Sequence, residues 1–391
     1  MPGDQAGPAG VTARGPAQAE AFGADLYQAL RAGPGNTVFS PASVAAALAM
    51  ALIGARGATA VQIAAALRLA GPQDAADSLR MLSAAIADSA EGAAGTEGLE
   101  VILRAPNAMW VQSGLPLVAS FTSALAGLGV RLHDADFSHA AGQAAEQINA
   151  LIAEQTGGKI TDLLQPGTLD ETTRMVLANA VYLKAAWAVP FAPGATSAAP
   201  FHPQPGAEVS AAMMRLQARL GYVAGEGYQV AQLLYAGGRL AMAIILPDGP
   251  LDSVEDALVA RGLSGLLTGL AQARVHLSLP RFTATTRANL RPALESLGID
   301  LAFRPDQADF SGITTADRLS LSAAVHQAHI DVDEQGTEAA AATAVVMRAS
   351  AALAGDPPVT MVVDRPFLFA ITDTQTGLPL FLGRITDPGP A

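Results

Sequence analysis

Val332-Asp-Glu-Gln-Gly-Thr-Glu-Ala-Ala-Ala-Ala-Thr-Ala-Val-Val-Met347, continued by Arg348-Ala-Ser-Ala-Ala-Leu-Ala-Gly-Asp-Pro-Pro358, is the stretch that decides the fold. Taken alone, Glu338 to Met347 reads as an alanine-rich helix, because Ala has the highest intrinsic helix propensity. Written as a strand, it places Thr337, Ala339, Ala341, Thr343, Val345 and Met347 on one face and Glu338 and Arg348 on the other. The face to be buried is small and uncharged. No proline falls between Thr337 and Asp356, so every backbone N–H there can join a ladder. About fourteen residues of strand would span roughly 45 Å, far beyond the usual five or six, and would need a slot of matching length.

Outward from this stretch, the chain reads as several helices followed by many strands, an α+β pattern. Ala17 to Arg31 carries Phe22, Leu26 and Leu30 at helical spacing and is stopped by Gly33-Pro34-Gly35. In Asn36-Thr-Val-Phe-Ser-Pro-Ala-Ser43 a serine precedes a proline fit for the first position of a helix, and the apolar run to Leu52 predicts a buried one. Ala145 to Glu154 is a further helix, closed by Thr156-Gly157-Gly158. Met175 to Trp187 has the content of a buried strand, Leu319 to Val332 is a long one, and Phe367 to Ile371 with Leu378 to Ile385 closes the chain as a hairpin. Residues 1–16, rich in Gly, Pro and Ala, are expected to be a disordered tail ahead of a single domain over 17–391.

Composition bounds the function. The 391 residues carry a net charge of −12, against a nucleic-acid partner, which would need a basic face. The cations are nearly all arginine, Lys159 and Lys184 being the two lysines, and no run of them forms a basic stripe; activation by a sulfated polysaccharide is therefore not expected. The chain has no cysteine, which excludes disulfides, thiolate nucleophiles and cysteine-based zinc sites. Neither a signal peptide nor a run of about 18 apolar residues is visible, so a protein off the membrane is expected and its compartment is left open.

The stretch from Glu334 through Gly336, Thr337, Glu338 and Ala339, Ala340, Ala341 and Ala342 resembles the hinge and reactive loop of the serpin family. Other segments resemble that family in the same order: Asn36 with Phe39-Ser-Pro-Ala-Ser43, Ile148-Asn149 with Thr156-Gly-Gly-Lys-Ile160, Asn179-Ala-Val-Tyr-Leu-Lys-Ala-Ala-Trp187 followed by Phe191, Thr196 and Phe201, Leu279-Pro-Arg-Phe282, Ala308-Asp-Phe-Ser-Gly312, Asp364-Arg-Pro-Phe367 and Phe381-Leu-Gly-Arg384. The likeness runs from about residue 17 to 386. It implies helices packed on a large mixed central sheet with two further sheets, and an exposed reactive loop over about 334–362.

The same resemblance implies an inhibitor of serine-type endopeptidases that is a suicide substrate, not an enzyme, working without cofactor or metal as a monomer of extracellular or cytoplasmic location. Cleavage of the loop lets it insert into the sheet and trap the covalent acyl-enzyme. The family's usual loop length places the cut between Ser350 and Ala351, suiting an elastase- or subtilisin-like pocket; a cut between Arg348 and Ala349 would suit a trypsin-like one through a charge-assisted contact. Ser40, Ser43, Asn179 and His326 match the family's polar cluster beneath the sheet, the shutter. Trp187, Arg281 and Glu334 match the top of the sheet where insertion starts, the breach, with an Arg281–Glu334 pair holding it closed.

Two rival readings remain at this stage. A serpin fold that has lost inhibition would serve as a binding module or chaperone, but the small, uncharged inward face of the hinge favours insertion. A metal-dependent hydrolase would draw on His326, His329 and Asp331, with Asp333 and Glu334 beside them. On a strand, however, His329, Asp331 and Asp333 share one face and His326 and Glu334 the other.

Overall fold

The computed structural model describes residues 14–93, 101–337 and 357–389. Glu338 to Ala342, Arg348, Ala349, Ser350 and Ala351 lie outside the described residues. The elements in chain order are helix α1 (Arg14–Leu30), strand β1 (Thr37–Phe39), helices α2 (Pro41–Gly54), α3 (Gly57–Ala66) and α4 (Ala75–Ala93), strands β2 (Ile102–Arg104) and β3 (Asn107–Gln112), helix α5 (Ala119–Gly127), strand β4 (Leu132–Ala135) and helix α6 (Phe137–Gln155). Then come β5 (Met175–Ala186), β6 (Ser197–Phe201), β7 (Val209–Gly225), β8 (Tyr228–Leu234), β9 (Leu240–Pro247), helix α7 (Leu251–Leu266), β10 (Ala271–Pro280), β11 (Phe282–Asn289) and helix α8 (Arg291–Ser296). Strands β12 (Ala323–Val332), β13 (Gly336–Thr337), β14 (Val359–Val362), β15 (Phe367–Asp373) and β16 (Pro379–Ile385) complete the chain. The first helix begins at Arg14, upstream of the expected Ala17, and no described helix is long and apolar enough to cross a membrane.

The strands form a seven-stranded and a nine-stranded sheet. The two smaller sheets expected from the sequence are joined into one, because the seventeen-residue β7 pairs with β6 and β10 along its first part and with β8 at its end. Between the sheets lies α2, packed on β3 and β5 on one side and on β16 on the other. Every residue of α2 except Ile53 is buried. A helix apolar all round is stable only inside a core, and here its many alanines, among them Ala42, Ala45, Ala46, Ala47, Ala49 and Ala51, let both sheets approach it. Ser40 caps its N-terminus, accepting from the Ser43 N–H at 3.2 Å.

The segments quoted from the sequence have structural reasons. Asn36 knits the start of β1 to the C-terminal segment, its Oδ1 accepting from the Thr386 and Asp387 N–H groups at 2.8 and 3.0 Å. Arg384 pairs with buried Glu255 of α7 at 3.0 Å, and the Tyr27 hydroxyl of α1 donates to the same carboxylate at 2.6 Å. Three elements distant in sequence are thereby tied beneath the nine-stranded sheet by one satisfied buried charge.

In the seven-stranded sheet, β5 is buried on both faces. Met175, Leu177, Val181 and Leu183 join the main core, while Val176, Ala178 and Ala180 join a second core under α6 with Ile148 and Ile152. Next to β5 runs β12, parallel to it, from Ala323 opposite Val176 to His329 opposite Tyr182. Above that point the two strands part, and the short β13 lies between them.

Candidate functional site

Asp333 to Thr337 form the top of this sheet. A tight turn after β12 is closed by the Asp333 carboxylate, whose Oδ1 accepts from the Gln335 N–H at 2.7 Å and the Gly336 N–H at 3.1 Å. The turn sends the chain back as β13, antiparallel to both neighbours, with Thr337 opposite Val332 on one side and Ala185 on the other. Gly336 sits so close to β5 that a Cβ there would lie 2.0 Å from the Ala185 carbonyl oxygen; only glycine fits.

Thr337 is fully buried, and its hydroxyl is 2.6 Å from that of Tyr235. The Tyr235 ring stacks on Trp187 with centroids 4.5 Å apart and planes 14° from parallel, and its burial pushes the phenol pKa well above its ordinary value. The Trp187 indole N–H donates to the Asp333 carbonyl at 2.9 Å, and the Trp187 backbone N–H donates to the Gln335 carbonyl at 2.8 Å. The floor of the site is thus two stacked rings, and its lid is the turn.

Glu334 points to the other side. Its side chain is 5% exposed and that of Arg281 50%, and the Arg281 Nε lies 3.0 and 2.8 Å from the two carboxylate oxygens. The Thr196 hydroxyl donates to the same carboxylate. Burial pushes the Glu334 pKa up, but the hydrogen bonds from Arg281 and Thr196 outweigh it and hold it below its ordinary value. Trp187, Arg281 and Glu334 lie together at the top of the sheet. Tyr235 and the contacts of Thr196 were not legible, since nothing in their spacing announces that β8 and the segment after β5 meet here.

Beneath the sheet, Ser40, Ser43, Asn179 and His326 lie in one hydrogen-bonded set. The Ser40 N–H donates to His326 Nε2 at 3.2 Å, so the ring proton sits on Nδ1, which bonds Asn179 Oδ1. Asn179 Nδ2 donates to the Ser43 hydroxyl at 2.6 Å and to Oδ1 of Asn107, a member sequence reasoning missed. Because His326 and Asn179 are register partners across the β5–β12 pair, this set straddles the line along which the strands would separate.

Burial lowers the His326 pKa to about 3, and the ring is held neutral. A folded value below the unfolded one, about 6.5, means that the stability tied to this group is complete above about pH 6.5 and is lost progressively as the pH falls towards about 3. Urea unfolding of the native protein and of His326→Gln across this range should show a difference in stability that shrinks with acidity. A ring seen by NMR to titrate near its ordinary value in the folded protein would contradict this.

The residues of the metal-site reading are divided. His329 and Asp331 bond Thr285 and Thr283 of β11 on the outer face, at 2.8 and 2.9 Å, while His326 is buried on α2 and Asp333 is spent on its turn.

Residues 17–388 match the profile of the family described as serpin (serine protease inhibitor). The chain is 36% identical over 370 residues to an uncharacterized serpin-like protein of Thermococcus kodakarensis, covering 94% of this chain and 84% of that one. It is 32% identical over 380 residues to the human leukocyte elastase inhibitor, covering 94% and 97%. Among solved structures, a highly specific serpin of the insect Tenebrio molitor superposes with a TM-score of 0.82 at 29% identity, covering 96% of this chain and 98% of that one.

Proposed function

Because this chain belongs to the serpin family, we propose that it inhibits a serine-type endopeptidase by inserting its cleaved reactive loop between β5 and β12. One observation carries the reading: Gly336 and Thr337 already lie in the slot, antiparallel to both strands, as the first rung of an inserted strand. A continuation of β13 would replace one parallel ladder by two antiparallel ones, and parallel pairing is the weaker per residue. By the alternation that turns Thr337 inward, Ala339, Ala341, Thr343, Val345 and Met347 would follow on the same buried face.

In the chemical step the protease serine attacks the carbonyl carbon of Ser350. The bond to the nitrogen of Ala351 breaks, the new amine leaves with a proton, and Ser350 remains as an ester on the protease. Insertion then carries the esterified residue away from the loop's first position before water completes hydrolysis. Opening begins at the breach, held by Arg281–Glu334, and continues through the shutter set of Ser40, Ser43, Asn179 and His326. An elastase- or subtilisin-like pocket suits Ser350; cleavage after Arg348 would suit a trypsin-like one. The protein is expected to act as a monomer, without cofactor, and its covalent partner is the protease.

The test is a panel of subtilisin-, elastase-, chymotrypsin- and trypsin-like proteases analysed on denaturing gels with mass spectrometry of the released peptide. A covalent band with a C-terminal peptide beginning at Ala351 is expected. A peptide beginning at Ala349 would move the bait to Arg348, and cleavage without any covalent band would overturn the inhibitory reading in favour of a serpin fold used for binding.

A further inference from the structure

The sequence shows no basic run, yet the register of the nine-stranded sheet assembles one. Arg219 of β7 stands directly opposite Arg274 of β10, both exposed. Two and four residues along, the same outer face carries Gln217 opposite His276 and Arg215 opposite Ser278. The third strand in this row, β14, adds Thr360 beside His276 and Val362 beside Ser278.

No Asp or Glu occurs within β6, β7, β10 or β14, in a chain whose net charge is −12. Like charges directly opposite on adjacent strands oppose pairing, and neither Arg219 nor Arg274 has an ion-pair partner among the described residues. Arg215 differs, donating to the Ser197 hydroxyl at 2.6 Å and to the Ala195 carbonyl at 3.1 Å. The pair gains no electrostatic support from the strands around it and stands open to solvent, where a partner's carboxylates can reach it.

Its position indicates the partner. Val359, the first residue of β14, is the register partner of Val275, so the reactive loop rejoins the sheet immediately beside Arg274. A protease seated on the loop stands over the sheet that receives the loop's C-terminal end. We propose that the face built by Arg219, Arg274 and Arg215 docks against an acidic rim beside the cleft of the target protease and speeds its capture. This rests on the inhibitory reading above and adds the charge class of the target. A free polyanion fits less well, because two or three cations release few counterions and give only weak binding. The same few charges suffice for a partner already steered onto the loop, where rim charges act on the association rate.

The test pairs two proteases of the same primary-pocket preference, one with an acidic and one with a basic rim, against the wild-type protein and Arg219→Glu/Arg274→Glu. The quantity read is the second-order rate of loop cleavage at low and high salt, which is measurable whether or not a covalent complex survives, so loss of inhibition and loss of docking are separable. At low salt the variant should react about tenfold more slowly with the acidic-rim protease, with the gap closing at high salt and the number of inhibitor molecules consumed per protease unchanged. Circular dichroism of the variant establishes that it is folded. Equal rates for both proteins with the acidic-rim protease would overturn the proposal. So would a heparin-dependent acceleration that the variant loses while its rate without heparin stays wild type, which would assign the face to a polyanion.

Discussion

Thr337→Arg is expected to convert the protein from an inhibitor into a substrate. Thr337 is fully buried between β5 and β12, over the stacked Trp187 and Tyr235 rings, and its side chain meets the Tyr235 hydroxyl there. A guanidinium at that point would be a buried, unpaired charge, costing several kcal/mol, so the hinge should be held out of the slot. The bond after Ser350 lies far along the loop and should still be cut at close to the wild-type rate. What fails is insertion, which competes with hydrolysis of the acyl-enzyme. Each 1.4 kcal/mol added to its barrier slows it about tenfold, so a penalty of about 3 kcal/mol should raise the protein consumed per protease inactivated by about two orders of magnitude.

Thr337→Val provides the graded control. It keeps the shape but leaves the Tyr235 hydroxyl buried without its partner, a cost of about 1–3 kcal/mol, and combining it with Tyr235→Phe should restore inhibition. Covalent complexes formed by the Thr337→Arg variant at wild-type stoichiometry would show that insertion does not pass through this position.

Glu334→Lys should open the top of the sheet. The carboxylate is nearly enclosed and neutralises Arg281 with help from Thr196. An ammonium there would face the guanidinium with the same sign, and breaking such an enclosed pair costs about 3–5 kcal/mol at the upper limit. The half-exposed Arg281 can turn to solvent, which places the expected loss at the lower end of that range. With the turn released, the edges of β5 and β12 become available to a strand from another molecule. The expected result is slow oligomerisation on mild warming, followed by size-exclusion chromatography, under conditions that leave the wild-type protein unchanged. Glu334→Lys combined with Arg281→Glu re-forms the pair with its signs exchanged and should recover the monomer. A single variant that stayed monomeric with an unaltered melting temperature would reduce the pair to a surface contact.

Much of this site was legible before the structure because it is encoded locally. Gly336 is marked in the sequence by the hinge pattern around it, although its close approach to β5 is what demands glycine. The alternation of small residues after Thr337 is a period of two, and Ser40-Pro41 is a helix start; each is a local geometric rule that leaves its mark on neighbouring positions. The order of the quoted segments, from Asn36 to Arg384, fixed the family and with it the layered α+β architecture. Local pattern also gave bounds for β5 and β15 within a few residues.

What only the tertiary structure decided is the set of contacts between segments far apart in the chain. Tyr235 meets Thr337 across 102 positions, and Asn107 meets Asn179 across 72. Neither partner is marked by spacing, because a hydrogen bond between strands depends on sheet order and register. The same cause hid the arginine face. Arg219 and Arg274 are scattered singletons in the sequence, and the antiparallel register of β7 with β10 is what sets them opposite one another. Sequence determined which residues could enter a slot; the packing of β5, β8 and β12 determined that a slot exists and that its first position is already filled.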